Sequence, residues 1–338
     1  MKKIIPTLLA ILIFAFSLVG CDNKSSENLI TSSQSEKMQS SESSDLTAQS
    51  ETPVQNSLDF ISYSDMNGIL SVDRVELSEE IAKFCSSYEF LYEVDDCKVL
   101  GYISIPNDCS EKNPYKAVVY NRGGNSNLGT VDGEETAAIC KALNRIVIAS
   151  KYRGSEGCTG IDCFGGDDLH DVIKLIDYCE GFKFVDMNDL CAMGVSRGGM
   201  MSYLAAKNDS RVKKVISISG AADLTSSVKE RDDMKSLLIE RIGGSYEELP
   251  EEYKARSAVY WANKINASVL IIHSKNDKQV AFSQAENMVE QLKKYNKEYY
   301  FVTYNDDIHG VHQEDIQIME KYLNGESISE YVTEENIK

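Results

Sequence analysis

Histidine is scarce in this chain, with four in 338 residues. Any mechanism that needs an imidazole base therefore has few places to put it. Cysteine is better represented, at nine residues, yet no C-x-x-C and no Cys/His cluster with zinc spacing occurs, so no metal site is expected. Positive charge is also short: 35 Lys and Arg stand against 53 Asp and Glu, a net charge of −18. Nucleic acid is a poor partner for such a surface, and so is tight electrostatic docking on anionic lipid. No internal repeat is evident. No apolar run reaches the twenty or so residues that a membrane-spanning helix needs.

The longest apolar run, Ile4 to Val19, follows Lys2 and Lys3 and has the form of an export signal. Leu18-Val19-Gly20-Cys21 then resembles a bacterial lipobox. That resemblance implies removal of residues 1–20 and lipidation of Cys21, which would tether the protein to the membrane on its extracytoplasmic face. From Cys21 to Ser57 large apolar residues are sparse and Ser, Gln, Glu, Asn and Thr dominate. Such a segment cannot bury enough apolar surface to fold, and is expected as a flexible tether. Eight cysteines follow Cys21. An even number in an exported chain permits disulfides, and Cys158 with Cys163, in one Gly-rich loop, is the first pair to consider. Cys140, Cys179 and Cys191 fall on apolar faces, where a free thiol acts as a small hydrophobe.

Residues 58–325 are expected as one α/β domain, with 326–338 as a tail. Strands are expected at Ser86–Val94, Lys98–Ile105, Ala117–Tyr120, Arg145–Ser150, Leu190–Met193, Lys214–Ile218, Ser268–His273 and Tyr299–Thr303. Helical patterns fall at Thr136–Leu143, from Asp167-Asp168 onward, at Gly199–Ala206, Ala281–Tyr295 and Gln313–Leu323. Carboxylates at a helix start, as at Asp167-Asp168, suit its dipole. This alternation predicts a mostly parallel sheet with helices on both faces, interrupted by a small helical insertion at about 224–264 that caps the active edge. Functional residues then belong on loops at the C-terminal ends of the strands.

Gly194-Val-Ser-Arg-Gly198 lies between one such strand and helix. Strand, Gly-x-Ser-x-Gly, helix is the context of a nucleophile elbow, in which a tight turn lifts the Ser196 hydroxyl above the sheet. A serine nucleophile needs a base, and the base an orienting acid, in the chain order Ser, Asp or Glu, His. His170 precedes the elbow, and His273 precedes the acid. His309 and His312 remain; His309, on the loop leaving the last strand, is preferred over His312, which could cap the final helix or face solvent. Asp277 follows a strand end directly and is the preferred acid. Asp306 and Asp307 are read as loop solvation. For the oxyanion, the Arg197 amide supplies one donor and the Arg122-Gly123 loop, after the third strand, the other.

Tyr120-Asn-Arg-Gly-Gly124, Lys151-Tyr-Arg-Gly-Ser155, Gly165-Gly-Asp-Asp168, Gly194-Val-Ser-Arg-Gly-Gly199, Arg256-Ser-Ala-Val-Tyr-Trp261, Ile271-Ile-His-Ser-Lys-Asn-Asp277 and Ile308-His-Gly310 occur in the order seen in prolyl oligopeptidase-type catalytic domains. From Ser86 to Leu323 the chain resembles that branch of the α/β-hydrolases. The resemblance implies an α/β-hydrolase fold, a Ser196–Asp277–His309 triad, no cofactor, and a peptide or small acyl substrate; a carboxylesterase would use the same triad. Arg197 stands where the family often has Tyr. Arg122 stands where peptidase members often offer Tyr or His, and a cation there could hold an oxyanion or a substrate carboxylate; either arginine could instead be paired structurally with a carboxylate of the protein. The family's propeller has no room between Ser57 and Ser86, so its proline specificity is not carried over. A reading of a different class is a non-catalytic surface lipoprotein for binding or adhesion. The sequence says nothing of an oligomeric state.

Overall fold

The computed structural model describes residues 60–63, 66 and 68–337. The signal segment, Cys21 and the tether lie outside these residues. Among them no helix is long and apolar enough to cross a membrane.

A ten-stranded sheet organises the chain, in the order β1-β2-β3-β5-β4-β6-β7-β8-β9-β10. Its first edge is antiparallel: β1 (Ile69–Val75), β2 (Cys85–Val94) and β3 (Cys97–Pro106), with β2 and β3 turning at Asp95-Asp96, both at positive φ. The parallel part is β4 (Tyr115–Asn121), β5 (Ile146–Ser150), β6 (Val185–Val195), β7 (Val212–Ile218), β8 (Ser268–Ser274) and β9 (Tyr299–Tyr304). Buried Val, Ile, Leu and Ala fill β5 and most of β7 and β8, as a sheet covered on both faces requires. The short α1 (Glu79–Ala82) links β1 to β2. On one face lie α2 (Gly133–Leu143) and α9 (Asp315–Asn324), packed on Val118, Val147, Ile216 and Leu270. On the other lie α3 (Leu169–Gly181), α4 (Arg197–Asn208) and α8 (Ser283–Lys294), packed on Val119, Ile148, Val215 and Ile271. Between β7 and β8 the insertion forms α5 (Leu224–Glu230), α6 (Asp232–Ile242) and α7 (Pro250–Ala255).

Two strands differ from expectation. β1 adds an edge before the expected hairpin. The segment expected as a tail folds back as β10 (Glu334–Asn336), antiparallel to β9. The chain direction across the sheet reverses beside β4: β4 leads to β5 on one side, and β5 returns to β6 on the other. Loops leaving the ends of β4 and β6 therefore diverge and open a crevice, the usual place for a ligand in such a sheet.

Candidate active site

Ser196 occupies the crevice at the end of β6. Its φ of 58° and ψ of −121° lie outside the ordinary regions, a strain of roughly 1–3 kcal/mol that the surrounding packing must hold. The glycines of the motif are required by distance. A Cβ on Gly194 would meet Asn121 O at 2.4 Å, and one on Gly198 would meet it at 1.8 Å. Strand β4 thus passes against the turn, and no other residue fits. The Ser196 backbone is held by Ser196 N–H donating to Ile218 O at 2.9 Å and Ser196 O accepting from Gly199 and Ala221.

The acid and base come from the next two strand ends. Asp277 follows β8 and accepts N–H from Gln279 at 2.8 Å and Val280 at 3.1 Å on Oδ1. Its Oδ2 lies 2.8 Å from His309 Nδ1. Burial opposes ionisation of Asp277, but the His309 hydrogen bond and charge and the two amides outweigh it, and the carboxyl is held below its usual range. With Nδ1 on Asp277, Nε2 of His309 is left for other partners. Ser196, Asp277 and His309 line one cavity of about 840 Å³. Phe164, Leu224, Met234 and Leu237 give it an apolar wall, the last three from the insertion. Asp132, Glu134 and Glu135, at the start of α2, also line it.

The other histidines are placed elsewhere. His170 is exposed and meets Asp95 at 2.5 Å. His273 is buried, with Nε2 2.9 Å from Val280 O, behind Asp277. His312 neither faces solvent nor lines the cavity: its ring stacks on Tyr304 at 3.7 Å, its Nε2 is 3.2 Å from the Asp306 carboxylate, and its N–H donates to Asp315. Asp306 therefore has a partner in the fold and is not simply a solvated loop residue.

Gly123 passes over the nucleophile; a Cβ there would lie 3.2 Å from Val195 O and 3.6 Å from Ser196 Cβ. Arg197 begins α4, where a first-turn N–H has no intrahelical acceptor. The Arg122 side chain corrects the sequence reading, and that of Arg197 takes the alternative of a structural pairing with a carboxylate. Arg122 is 1% exposed and does not line the cavity. Its guanidinium donates to the carbonyls of Lys151, Gly123, Ser126 and Leu128 and to Ser155 Oγ. It binds loops together and is not offered to a substrate carboxylate or an oxyanion. Arg197 is 2% exposed, paired with Asp162 at 2.7 Å and with Asp168. Asp168, expected only to complement a helix dipole, is a buried counter-ion that also accepts the Gly165 N–H at 3.0 Å. Asp162 is the residue sequence reasoning missed. Its signal was the Gly-rich loop between β5 and α3, which has no regular structure of its own to hold a buried arginine.

All eight described cysteines are free. Cys158 Sγ accepts the Leu100 N–H at 3.3 Å and Cys163 Sγ donates to Ile161 O at 3.5 Å, so the pair considered from sequence is not joined. Among the described residues no group of His, Cys, Asp and Glu could hold a metal ion.

Residues 134–325 match the profile of the Prolyl oligopeptidase family. The chain belongs to that family. It is a hydrolase of the serine peptidase class. An uncharacterized peptidase of Bacillus subtilis (strain 168), YtmA, is 29% identical over 211 residues, 62% of this chain and 80% of that protein. The dipeptidyl-peptidase 5 of Aspergillus oryzae is 23% identical over 262 residues, 72% of this chain but 36% of its own length. Among solved structures, an acylaminoacyl peptidase in complex with Z-Gly-Gly-Phe-chloromethyl ketone superposes with a TM-score of 0.63 at 19% identity, over 72% of this chain and 42% of that one. The Pyrococcus horikoshii acylaminoacyl peptidase gives 0.61 at 21% identity, over 70% and 39%. These likenesses establish the α/β-hydrolase fold. The chain spans well under half the length of the dipeptidyl-peptidase and acylaminoacyl peptidases.

Proposed function

We propose that this protein cleaves peptide bonds through a Ser196–His309–Asp277 triad and an acyl-enzyme. The observation that carries the reading is the His309–Asp277 pair at 2.8 Å, opening on the same cavity as a serine held at positive φ. Ser196 Oγ attacks the peptide carbonyl while His309 Nε2 takes its proton. Asp277 fixes the tautomer that leaves Nε2 free and stabilises the imidazolium that forms. The amides of Arg197 and Gly123 receive the oxyanion. His309 then protonates the leaving amine, and water, activated by the same imidazole, releases the acyl group. The family favours peptides over esters as substrates; the triad itself serves both.

Labelling with a fluorophosphonate tests this directly. The wild type should label and Ser196→Ala should not. Equal labelling removes Ser196 as the nucleophile, and none in the wild type returns the non-catalytic lipoprotein. Turnover of short peptide amides beside p-nitrophenyl esters then decides the class, since ester cleavage alone would favour the esterase.

The lipobox-like sequence supports an extracytoplasmic address through a lipid on Cys21. In a bacterial host, metabolic labelling with a fatty-acid analogue should mark the wild type and spare Cys21→Ser, which should also leave the membrane fraction. Equal label on both would overturn the anchor.

A further inference from the structure

The proposed oxyanion loop, residues 122–129, has little backbone pairing: Asn125 bridges to Leu128 within the loop itself. Side chains hold it. Arg122 bonds its carbonyls to one another and to the loop after β5. Asn121 is tied to α4 through Ser202 at 3.0 Å. Three residues further on, Arg197 Nη1 donates to Gly124 O at 3.2 Å and to Asp162 Oδ2 at 2.8 Å. The same Asp162 Oδ2 accepts the Ser126 N–H at 2.9 Å, and Asp162 Oδ1 accepts from Arg197 Nη2 at 2.7 Å and from Phe164 N–H at 3.0 Å. The guanidinium lies over the rings of Tyr152 and Phe164, at 4.9 and 4.6 Å. One dehydrated cation thus joins the first residue after the nucleophile, the glycine turn opposite it, and the Phe164 wall of the cavity.

Accepting the triad above, we propose that Arg197 is a positioning residue: its side chain, clamped by Asp162, holds the Gly123-Gly124 turn in register with the nucleophile, while its own amide supplies the facing donor. Both sides of the oxyanion site then move as one body with α4. A bidentate guanidinium–carboxylate pair fixes orientation as well as distance. A lysine at this place would keep the charge and lose the fork. Oxyanion donors act only when correctly placed, and loss of one costs on the order of 10²–10³ in kcat.

The test uses Arg197→Lys and Asp162→Asn, with Arg197→Gln as the harsher change. Fluorophosphonate label at completion counts the folded sites, and rates are expressed per labelled site. We expect kcat per site to fall about 10²-fold in Arg197→Gln and less in Arg197→Lys, with KM within about threefold. Affinity for a peptide boronate, which forms a tetrahedral adduct on serine, should fall by the same factor. Binding of a peptide amide to the Ser196→Ala form of each variant should not change. A purely structural role predicts fewer labelled sites, each as fast as wild type, and that result overturns the proposal. So does a parallel loss of boronate and peptide-amide binding. If Arg197→Gln fails to fold, the two milder variants decide. Absence of label from the wild type would instead remove Ser196 as nucleophile, and this proposal with it.

Discussion

Glu135 carries the most displaced carboxyl of the cavity wall. It sits in the first turn of α2 and accepts the Tyr120 hydroxyl at 2.8 Å, without a cation in contact. Burial pushes its pKa up to about 7 from 4.5. A carboxyl with a raised folded pKa binds its proton more tightly folded than unfolded. Its cost is therefore absent below pH 4.5 and complete above about pH 7. Glu135→Gln should leave stability nearly unchanged at pH 4.5 and raise it at pH 8, by up to about 3 kcal/mol; a lower denaturation midpoint at pH 8 would contradict this. Asp162 has the opposite sign. Burial raises its pKa, but the Arg197 charge and hydrogen bonds and the amides of Ser126 and Phe164 outweigh it and lower it to about 2. Its contribution is present above pH 3.8 and is lost as pH falls towards 2. Denaturation midpoints between pH 5 and pH 2 should fall more steeply in the wild type than in Asp162→Asn. His309 and His312 separate on function. His309→Ala should lose three or more decades in kcat. His312→Ala should instead lose stability, about 2 kcal/mol, because it empties the space over Tyr304 and takes the imidazole away from the Asp306 carboxylate. A thousandfold loss in His312→Ala alone would reverse the assignment.

At the scale of elements, α6 is the loosest part of the site. Of its side chains only Leu238 is buried. Arg231, just before it, donates to Gln279 O at 2.6 Å, and Arg241, in its last turn, donates to Ser126 Oγ at 2.9 Å. The helix therefore bridges from the Asp277 loop to the oxyanion loop, with Met234 and Leu237 towards the cavity. Few buried contacts imply a low local opening energy. Amide hydrogen exchange should be faster in residues 232–242 than in β6 and β7 by two or more decades; equal protection would refute a loose cap. The same feature explains why this region is read from sequence only as helices and loops. The apolar residues of α6, Met234, Leu237, Leu238 and Ile242, keep helical spacing, but with only Leu238 buried in eleven residues they fix neither its bounds nor what it packs on. By contrast α8 buries Ala285, Met288, Val289 and Leu292, a clear helical spacing, and its expected bounds lie within two residues of those found.

For the molecule as a whole, the free thiols matter. Cys85, Cys109, Cys140, Cys179 and Cys191 are buried, and burial pushes Cys179 and Cys191 up to about 12. They pack as small hydrophobes. The thermal midpoint should be the same with and without reductant, and a drop of several degrees on reduction would reveal a disulfide. The sheet edges were the least legible part of the fold. β1 has one buried side chain, Ile69, and β10 has none. Both join by backbone hydrogen bonds to a neighbouring strand, which leaves no alternation in the residues themselves. The parallel strands, whose residues must be apolar on both faces, were legible for the opposite reason.

The sequence by itself determined the elbow, the parallel sheet, and the order of Ser196, Asp277 and His309. Those features rest on short-range causes: glycines that a tight turn requires, apolar runs that a covered sheet requires, and loops that must follow strand ends. Tertiary structure alone decided what Arg122 and Arg197 do. The Asp162 that captures Arg197 is 35 residues away along the chain, and the carbonyls that hold Arg122 reach to Lys151. A charged side chain is used according to what surrounds it in space, because a guanidinium can be buried only where acceptors, as for Arg122, or opposite charge, as for Arg197, are already waiting.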